Sequence, residues 1–171
     1  MYKLVAIDLD GTLLDTIEDL RDSVNDVMKI YGWKEHDTKA CKQMVGNGFR
    51  KLITRALPED KQKNELFIDE AVNQFSKAYQ KRYLNKTIPY EGILKLLESL
   101  EEKGIKIAVV TNKPHKSAVK MVETLFGKDY FDLITGSKDD TPRKPNPATT
   151  KQTLKKLGCK AGEAIFFGDS D

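Results

Sequence analysis

Two spacings of hydrophobic residues divide the chain into a helical segment and an alternating segment. The apolar run KLVAID at residues 3–8 predicts a short strand buried on both faces. From Thr16 onward apolar residues recur at helical spacing, which predicts helices over most of residues 16–84. Gly32 and Pro58 are placed to end two of these helices.

After residue 84 the pattern alternates between helices and strands. For the last helix, Asn146 is the expected cap and Pro147 the first helical residue. The predicted elements are, in chain order, a helix at 93–100, a strand at 105–110, a helix at 116–126, a strand at 131–136, a helix from 147 and a strand at 164–167.

This alternation predicts the fold class. Strands that alternate with helices form a parallel sheet with right-handed crossover connections. We therefore expect an α/β, Rossmann-like parallel-sheet core made of residues 1–15 and 85–171. Residues 16–84 are then an α-helical insertion that follows the first strand.

Composition narrows the possible surroundings and partners. The 171 residues are 39% hydrophobic and 32% charged, as in a soluble globular protein, and the net charge is only +3. Lys and Arg form no consecutive block, so nucleic acid is not an expected partner. The N-terminus is apolar only over residues 4–7, too short for a signal peptide or a membrane span. Cys41 and Cys159 lack a CxxC spacing, and we expect a reduced, cytoplasmic protein.

Polar clusters follow the predicted strands. DLDGT comes after the first strand, TNK after the second and GDSD after the fourth, while SKDDTPRKPNP closely follows the third. The carboxyl ends of parallel strands share one edge of a sheet, where ligands bind. The side chains expected to converge there are Asp8, Asp10, Thr111, Asn112, Lys144 and Asp169.

These residue types together indicate phosphoryl-transfer chemistry. Three carboxylates at one edge repel each other unless a cation lies between them, and oxygen ligands favour Mg²⁺ before Ca²⁺ or Zn²⁺. A lysine, a threonine hydroxyl and backbone amides around such a metal can hold a phosphoryl group. One carboxylate can attack phosphorus, and another two residues further on can protonate the leaving alkoxide and then deprotonate water.

The same motifs resemble those of the haloacid dehalogenase-like phosphohydrolases. DLDGTLLDT looks like the first motif of that family, TNK the second, the lysine of RKPNP the third and FFGDSD the start of the fourth. The helical insertion resembles the family's small helical cap. VGNG in the insertion, with TNKP and KPNP, looks most like the phosphoglycolate phosphatase branch.

The resemblance implies a role for each motif residue. Asp8 is the implied nucleophile and Asp10 the acid and base. Thr111 and Lys144 are the implied phosphate ligands, and Asn112 is placed with them. Mg²⁺ is the implied cofactor. Its implied protein ligands are Asp8, Asp10, through the backbone carbonyl, and Asp169.

Several residues keep two interpretations. Gly46, Asn47 and Gly48 form either a glycine turn or a loop that contacts the organic end of the substrate. Arg50 and Lys51 either meet a substrate carboxylate or form an exposed helix face. Asp139, Arg143 and Lys113 are interpreted as ordinary charged residues without a role in the chemistry.

The expected function is Mg²⁺-dependent hydrolysis of a small phosphomonoester through an aspartyl-phosphate intermediate on Asp8. The resemblance makes 2-phosphoglycolate the first substrate to consider. A phosphosugar mutase, or a pyrophosphatase or nucleotidase of the same superfamily, remains an alternative. A phosphate-binding or partner-binding module without catalysis is another, although binding alone needs no pair like Asp8 and Asp10.

The last motif raises a separate expectation. In the family, the fourth motif carries another acid two residues beyond the position where this chain stops. Asp171 does not occupy that position, and we assign it no role. The sequence therefore predicts a chain cut inside its fourth motif.

Overall fold

A computed structural model describes residues 1–138 and 141–169, so that Asp139 and Asp171 lie outside the described residues. The chain divides into two compact units. One consists of Met1–Asp15 with Ile88–Asp171, and the other of Thr16–Thr87. Within the described residues, no helix is both long enough and apolar enough to cross a bilayer.

The first unit contains a four-stranded parallel sheet, which confirms the predicted fold class. The described strands are β1 (Leu4–Ile7), β2 (Leu14–Asp15), β3 (Ile88–Pro89), β4 (Lys106–Pro114), β5 (Leu133–Ser137) and β6 (Ala164–Phe167). The sheet order is β5-β4-β1-β6, and β2 pairs separately with β3 in antiparallel orientation. The two-residue strands β2 and β3 are too short to show an alternating pattern and were not predicted.

Helices account for the other regular elements. In the part of the chain that the structure describes, four α-helices lie in the second unit and three in the first, which also contains the 3₁₀ turn Ala161–Glu163. The α-helices are α1 (Ile17–Ile30), α2 (Thr38–Met44), α3 (Phe49–Ala56), α4 (Glu65–Arg82), α5 (Ile93–Glu102), α6 (His115–Phe126) and α7 (Ala148–Leu157).

The position of β1 in the sheet explains its sequence and locates the candidate site. All four residues of β1 are buried, because β1 lies between β4 and β6 and both faces of the sheet are covered there. The chain runs from β1 to β4 and β5 on one side, and β6 returns to the other side of β1. The strand order therefore reverses at β1 and β6, and a ligand site is expected beyond their carboxyl ends.

The start of α7 differs from the prediction by one residue. α7 begins at Ala148, so Pro147 rather than Asn146 directly precedes the helix, although the Pro147 backbone already has helical angles (φ −75, ψ −1). Asn146 Oδ1 accepts a hydrogen bond from Ala148 N at 2.9 Å. Gly158 ends α7 in the left-handed conformation that glycine favours.

The second unit ends at residue 87 rather than at the predicted 84, and Asp19 supplies the reason. Asp19 is buried in α1, and its carboxylate accepts hydrogen bonds from the backbone amides of Lys86 and Thr87 at 2.9–3.2 Å. The Thr87 hydroxyl donates a further bond at 2.8 Å. These contacts attach residues 86–87 to the helical unit.

Replacing this carboxylate is expected to destabilise the protein. Asp19→Ala leaves the buried amide and hydroxyl of Thr87 and the part-buried amide of Lys86 without their acceptor, and should lower the free energy of unfolding by about 3 kcal/mol. Urea denaturation followed by circular dichroism measures the change. The control is Asp60→Ala, because the Asp60 side chain is 69% exposed in a surface ion pair. Equal stabilities of the two variants would contradict the assignment.

Candidate active site

Asp8 begins the site, directly after β1. Its backbone amide donates to Phe167 O at 2.8 Å, which joins the ends of β1 and β6. The residue is only 6% exposed, and its Oδ1 accepts a hydrogen bond from Leu9 N at 2.7 Å. The carboxylate is therefore fixed at the point where the strand order reverses.

Lys144 is the cation that faces Asp8. Its Nζ lies 2.6 Å from Asp8 Oδ2 and 5.2 Å from the centroid of the Phe166 ring. Burial raises the pKa of Asp8 above its ordinary value, and the charge and hydrogen bond of Lys144 oppose that rise. Lys144 therefore favours the ionised carboxylate at a position where burial alone would disfavour it.

Asn112 holds the backbone of Lys144 in place. Asn112 Oδ1 accepts from Lys144 N at 2.8 Å, and Asn112 Nδ2 donates to Lys144 O at 3.2 Å. The sequence interpretation placed this side chain with the phosphate ligands. In the structure its amide joins the end of β4 to the loop that carries Lys144.

Thr111 and Lys113 are the buried members of the TNK motif. The Thr111 hydroxyl accepts a hydrogen bond from Lys113 N at 3.1 Å. Lys113 Nζ lies 2.8 Å from Asp10 Oδ1 and 3.1 Å from Asp10 Oδ2, and the Lys113 side chain is 0% exposed. The interpretation of Lys113 as an ordinary charged residue is therefore wrong. No local sequence signal distinguishes it, because its position depends on the irregular pairing of β4 with β5 between Val110 and Pro114.

Asp169 approaches the first motif from the end of β6. A Cβ built on Gly11 would lie 2.2 Å from Asp169 Oδ2, so only glycine leaves room for this carboxylate. Gly11 also has φ +84, a conformation that other residues rarely adopt. A Cβ on Gly168 would lie 3.7 Å from the Cβ of Asp8. The structure thus brings the ends of β1 and β6 together, as the strand pattern predicted.

The contacts of the three carboxylates bear on the predicted metal site. Among residues 1–138 and 141–169, no three His, Cys, Asp or Glu side chains form a group able to hold a metal ion. The Asp10 carboxylate is instead paired with Lys113. The remaining candidate donors are the carboxylates of Asp8 and Asp169 and the backbone carbonyl of Asp10. These are hard oxygen ligands, and such a set fits Mg²⁺, which is commonly held by one or two carboxylates and retains several waters.

The glycine-rich loop of residues 46–48 lies in the helical unit. Arg55 donates to Asn47 Oδ1 at 2.8 Å and to Met44 O at 2.9 Å, which ties the middle of the loop and the end of α2 to α3. Gly48 is the N-terminal cap residue of α3 and has φ 83. Both interpretations of Gly46, Asn47 and Gly48, as a turn and as a substrate loop, are compatible with this arrangement.

Arg50 and Lys51 occupy the first turn of α3. The Arg50 guanidinium pairs with Glu65 and Asp69 of α4. Lys51 is exposed. Arg50 is therefore engaged within the helical unit rather than free to meet a substrate carboxylate, whereas the charge of Lys51 faces solvent.

Comparisons with known proteins show what this chain is similar to. A family model described as haloacid dehalogenase-like hydrolase matches residues 5–171. The phosphoglycolate phosphatase of Aquifex aeolicus is 34% identical over 169 residues, which cover 99% of this chain and 76% of that protein. The phosphoglycolate phosphatase of Psychrobacter arcticus is 33% identical over 173 residues, which cover 98% of this chain and 75% of that protein.

A solved structure shows the same likeness in three dimensions. It is the crystal structure of a predicted phosphoglycolate phosphatase from Haemophilus somnus, with a TM-score of 0.90 and 28% sequence identity. The match covers 98% of this chain and 77% of that one.

Proposed function

Because this chain belongs to the haloacid dehalogenase-like hydrolase family and is a phosphoric monoester hydrolase, we propose that it hydrolyses 2-phosphoglycolate through a phosphorylated Asp8. The observation that carries the mechanism is the buried Asp8 carboxylate with Lys144 Nζ at 2.6 Å. The choice of substrate rests on the names of the similar proteins.

Asp8 acts as the nucleophile in the first half of the reaction. A carboxylate oxygen of Asp8 forms a bond to phosphorus while the bond from phosphorus to the ester oxygen breaks. Lys144 keeps Asp8 ionised before the attack, and its ammonium group then stabilises the negative charge on the phosphoryl oxygens. Thr111 contributes its hydroxyl to the same phosphoryl group.

Asp10 moves the protons. It donates a proton to the leaving alkoxide in the first half, and it accepts one from the water that attacks phosphorus in the second half. That attack releases inorganic phosphate and restores the Asp8 carboxylate. Asn112 acts indirectly, because its side-chain amide holds the backbone of Lys144.

Mg²⁺ is the cofactor that these residues fit. Asp8, Asp169 and the backbone carbonyl of Asp10 would hold it. When bound, Mg²⁺ neutralises charge on the transferring phosphoryl group. Without a cation, the phosphoryl group meets the carboxylates of Asp8 and Asp169, and that of Asp10 once it has given up its proton, and this negative charge disfavours a phosphate dianion.

The helical unit serves as the cap in this proposal. Residues 16–87 are inserted between β2 and β3, directly after the motif that carries Asp8 and Asp10. Closure of a cap excludes water and completes a site. The loop of Gly46, Asn47 and Gly48 then contacts the organic part of the substrate.

Phosphate release from a panel of esters tests the proposal. The panel contains 2-phosphoglycolate, sugar phosphates, nucleotides and pyrophosphate, each assayed with Mg²⁺ and with a chelator. We expect the highest kcat/KM for 2-phosphoglycolate and a chelator-dependent loss of at least about 100-fold, because a metal supplies several kcal/mol of charge stabilisation. Excess Mg²⁺ should restore the rate.

Other outcomes would change the assignment. Release that is insensitive to the chelator would contradict the metal. Conversion of a sugar phosphate to an isomer without free phosphate would indicate a mutase. A preference for pyrophosphate would indicate a pyrophosphatase, and a preference for nucleotides would indicate a nucleotidase.

A further inference from the structure

The geometry points to Lys113 as a positioning residue for the reaction. We infer that its ammonium group holds the Asp10 carboxylate in the orientation in which Asp10 exchanges protons with the leaving group and the attacking water. The inference rests on the proposed function, because it takes Asp10 as the acid and base.

The contact between Lys113 and Asp10 is close and shielded from water. Nζ lies 2.8 and 3.1 Å from the two carboxylate oxygens, and the Lys113 side chain is 0% exposed against 18% for Asp10. An ammonium group that contacts both oxygens fixes the rotation of the carboxylate. Lysine is among the residues least often fully buried, and burying its charge is unfavourable without such a partner.

Stability alone is a weak reason for this pair. Buried ion pairs commonly add little to stability compared with apolar residues of the same size, since removing two charges from water offsets their attraction. The pair also joins segments 103 positions apart in the chain, at the edge of the sheet where Asp8 lies. A role in the chemistry of that edge explains why charged groups occupy this place.

An irregularity in the sheet directs Lys113 to Asp10. Val110 of β4 pairs with Thr135 of β5, but the next pair is Pro114 with Ser137. An advance of four residues along β4 therefore corresponds to an advance of two residues along β5. Bulges of this kind redirect side chains and often occur beside active sites. The irregular stretch is the TNK motif itself.

Gly136 makes room for this irregularity. A Cβ at residue 136 would lie 2.6 Å from His115 Cα, 2.7 Å from Lys113 O and 2.9 Å from His115 N. All three are backbone atoms, which cannot turn aside as a flexible side chain can. The close approach of the β4 backbone that places Lys113 therefore requires glycine on the neighbouring strand.

The result is a separate lysine for each aspartate of the first motif. Lys144 contacts Asp8, and Lys113 contacts Asp10. Asp10 thus has an ammonium group within hydrogen-bond distance of both of its carboxylate oxygens. Because misplacing a reacting group by 1 Å can cost about 100-fold in rate, the orientation of Asp10 is expected to affect both proton transfers.

The test compares Lys113→Met with Lys116→Met, which removes an exposed lysine three residues away. Substrates are 2-phosphoglycolate and p-nitrophenyl phosphate, whose leaving group needs little protonation. For Lys113→Met we expect kcat on 2-phosphoglycolate to fall about 100-fold, with KM changed less than about threefold. Acid quench during turnover of p-nitrophenyl phosphate should show accumulated phosphoenzyme. Lys116→Met should match the unmutated protein in both assays.

A double-mutant cycle separates positioning from a general structural effect. If Lys113 acts through Asp10, adding Lys113→Met to Asp10→Asn should slow phosphoenzyme hydrolysis little further. If Lys113→Met folds poorly, the test uses Lys113→Ala instead, assayed with and without added ethylammonium. Ethylammonium should speed phosphoenzyme hydrolysis, and tetramethylammonium, which has no N–H donor, should not.

Either of two results would overturn the inference. One is an unchanged rate of phosphoenzyme hydrolysis in Lys113→Met. The other is a double variant in which the rate of phosphoenzyme hydrolysis falls by the product of the two factors measured for the single variants. Failure of the proposed function is distinguishable, because the unmutated protein would then form no phosphoenzyme on Asp8.

Discussion

Asp8→Asn is expected to abolish phosphate release, with kcat lowered by at least about 10⁴-fold, as for the loss of other catalytic nucleophiles. An amide cannot form the acyl phosphate, and it removes the charge that pairs with Lys144 Nζ at 2.6 Å. A discontinuous phosphate assay at high enzyme concentration measures the residual rate. Mass spectrometry of acid-quenched samples should show no phosphorylated protein.

The fold of this variant should persist. Asparagine has nearly the same shape as aspartate, and its oxygen can still accept the hydrogen bond from Leu9 N. Burial raises the pKa of Asp8, so the folded protein binds this proton more tightly than the unfolded chain. The ionised carboxyl therefore destabilises the fold as pH rises from about 3.8 through the folded pKa of Asp8. Relative to Asp8→Asn, the unmutated protein should lose stability over that window.

A matched variant checks that the loss is specific. Asp129 is exposed in a loop of the same unit and has φ 63, a conformation that asparagine tolerates. Asp129→Asn makes the same chemical change and should retain full activity. Near-normal turnover by Asp8→Asn would show that another group is the nucleophile.

Asp10→Asn is expected to slow turnover by about 10²–10⁴-fold without preventing attack by Asp8. Asparagine cannot donate a proton to the alkoxide or accept one from water, so both halves of the reaction become slower. An activated ester needs little help in the first half. Phosphoenzyme of Asp10→Asn should therefore accumulate during turnover of p-nitrophenyl phosphate. Asp8→Asn cannot form this phosphoenzyme.

Rapid-quench measurement of the phosphoenzyme separates the two aspartates. After a pulse of activated ester, the phosphoenzyme of Asp10→Asn should decay at least about 100-fold more slowly than that of the unmutated protein. Equal decay rates would remove Asp10 from the water-activating step. If Asp10→Asn slowed only the formation of the phosphoenzyme and not its decay, the role of Asp10 would be limited to the first half of the reaction.

Hydrophobic spacing was sufficient to predict the architecture of the sheet. The uninterrupted apolar run of β1 indicated a strand covered on both faces, and all four of its residues are buried. The rule that parallel strands end at a common edge then placed Asp8, Lys144 and Asp169 near one another without knowledge of any contact. Local periodicity was sufficient because residues a few positions apart determine which face of a strand or helix is buried.

The pairing of individual charges was decided by the tertiary structure. Lys113 is separated from Asp10 by 103 positions, and neither its hydropathy nor its neighbours distinguish it from a solvated lysine. Its place depends on a register shift between β4 and β5 and on the close approach that Gly136 permits. Likewise, the Asn112 amide is engaged by the backbone of Lys144, which belongs to a later loop. The sequence by itself determined which elements form and which residues reach the shared edge of the sheet. Only the packed structure decided which lysine faces which aspartate, because such contacts depend on register and backbone approach, which local periodicity does not contain.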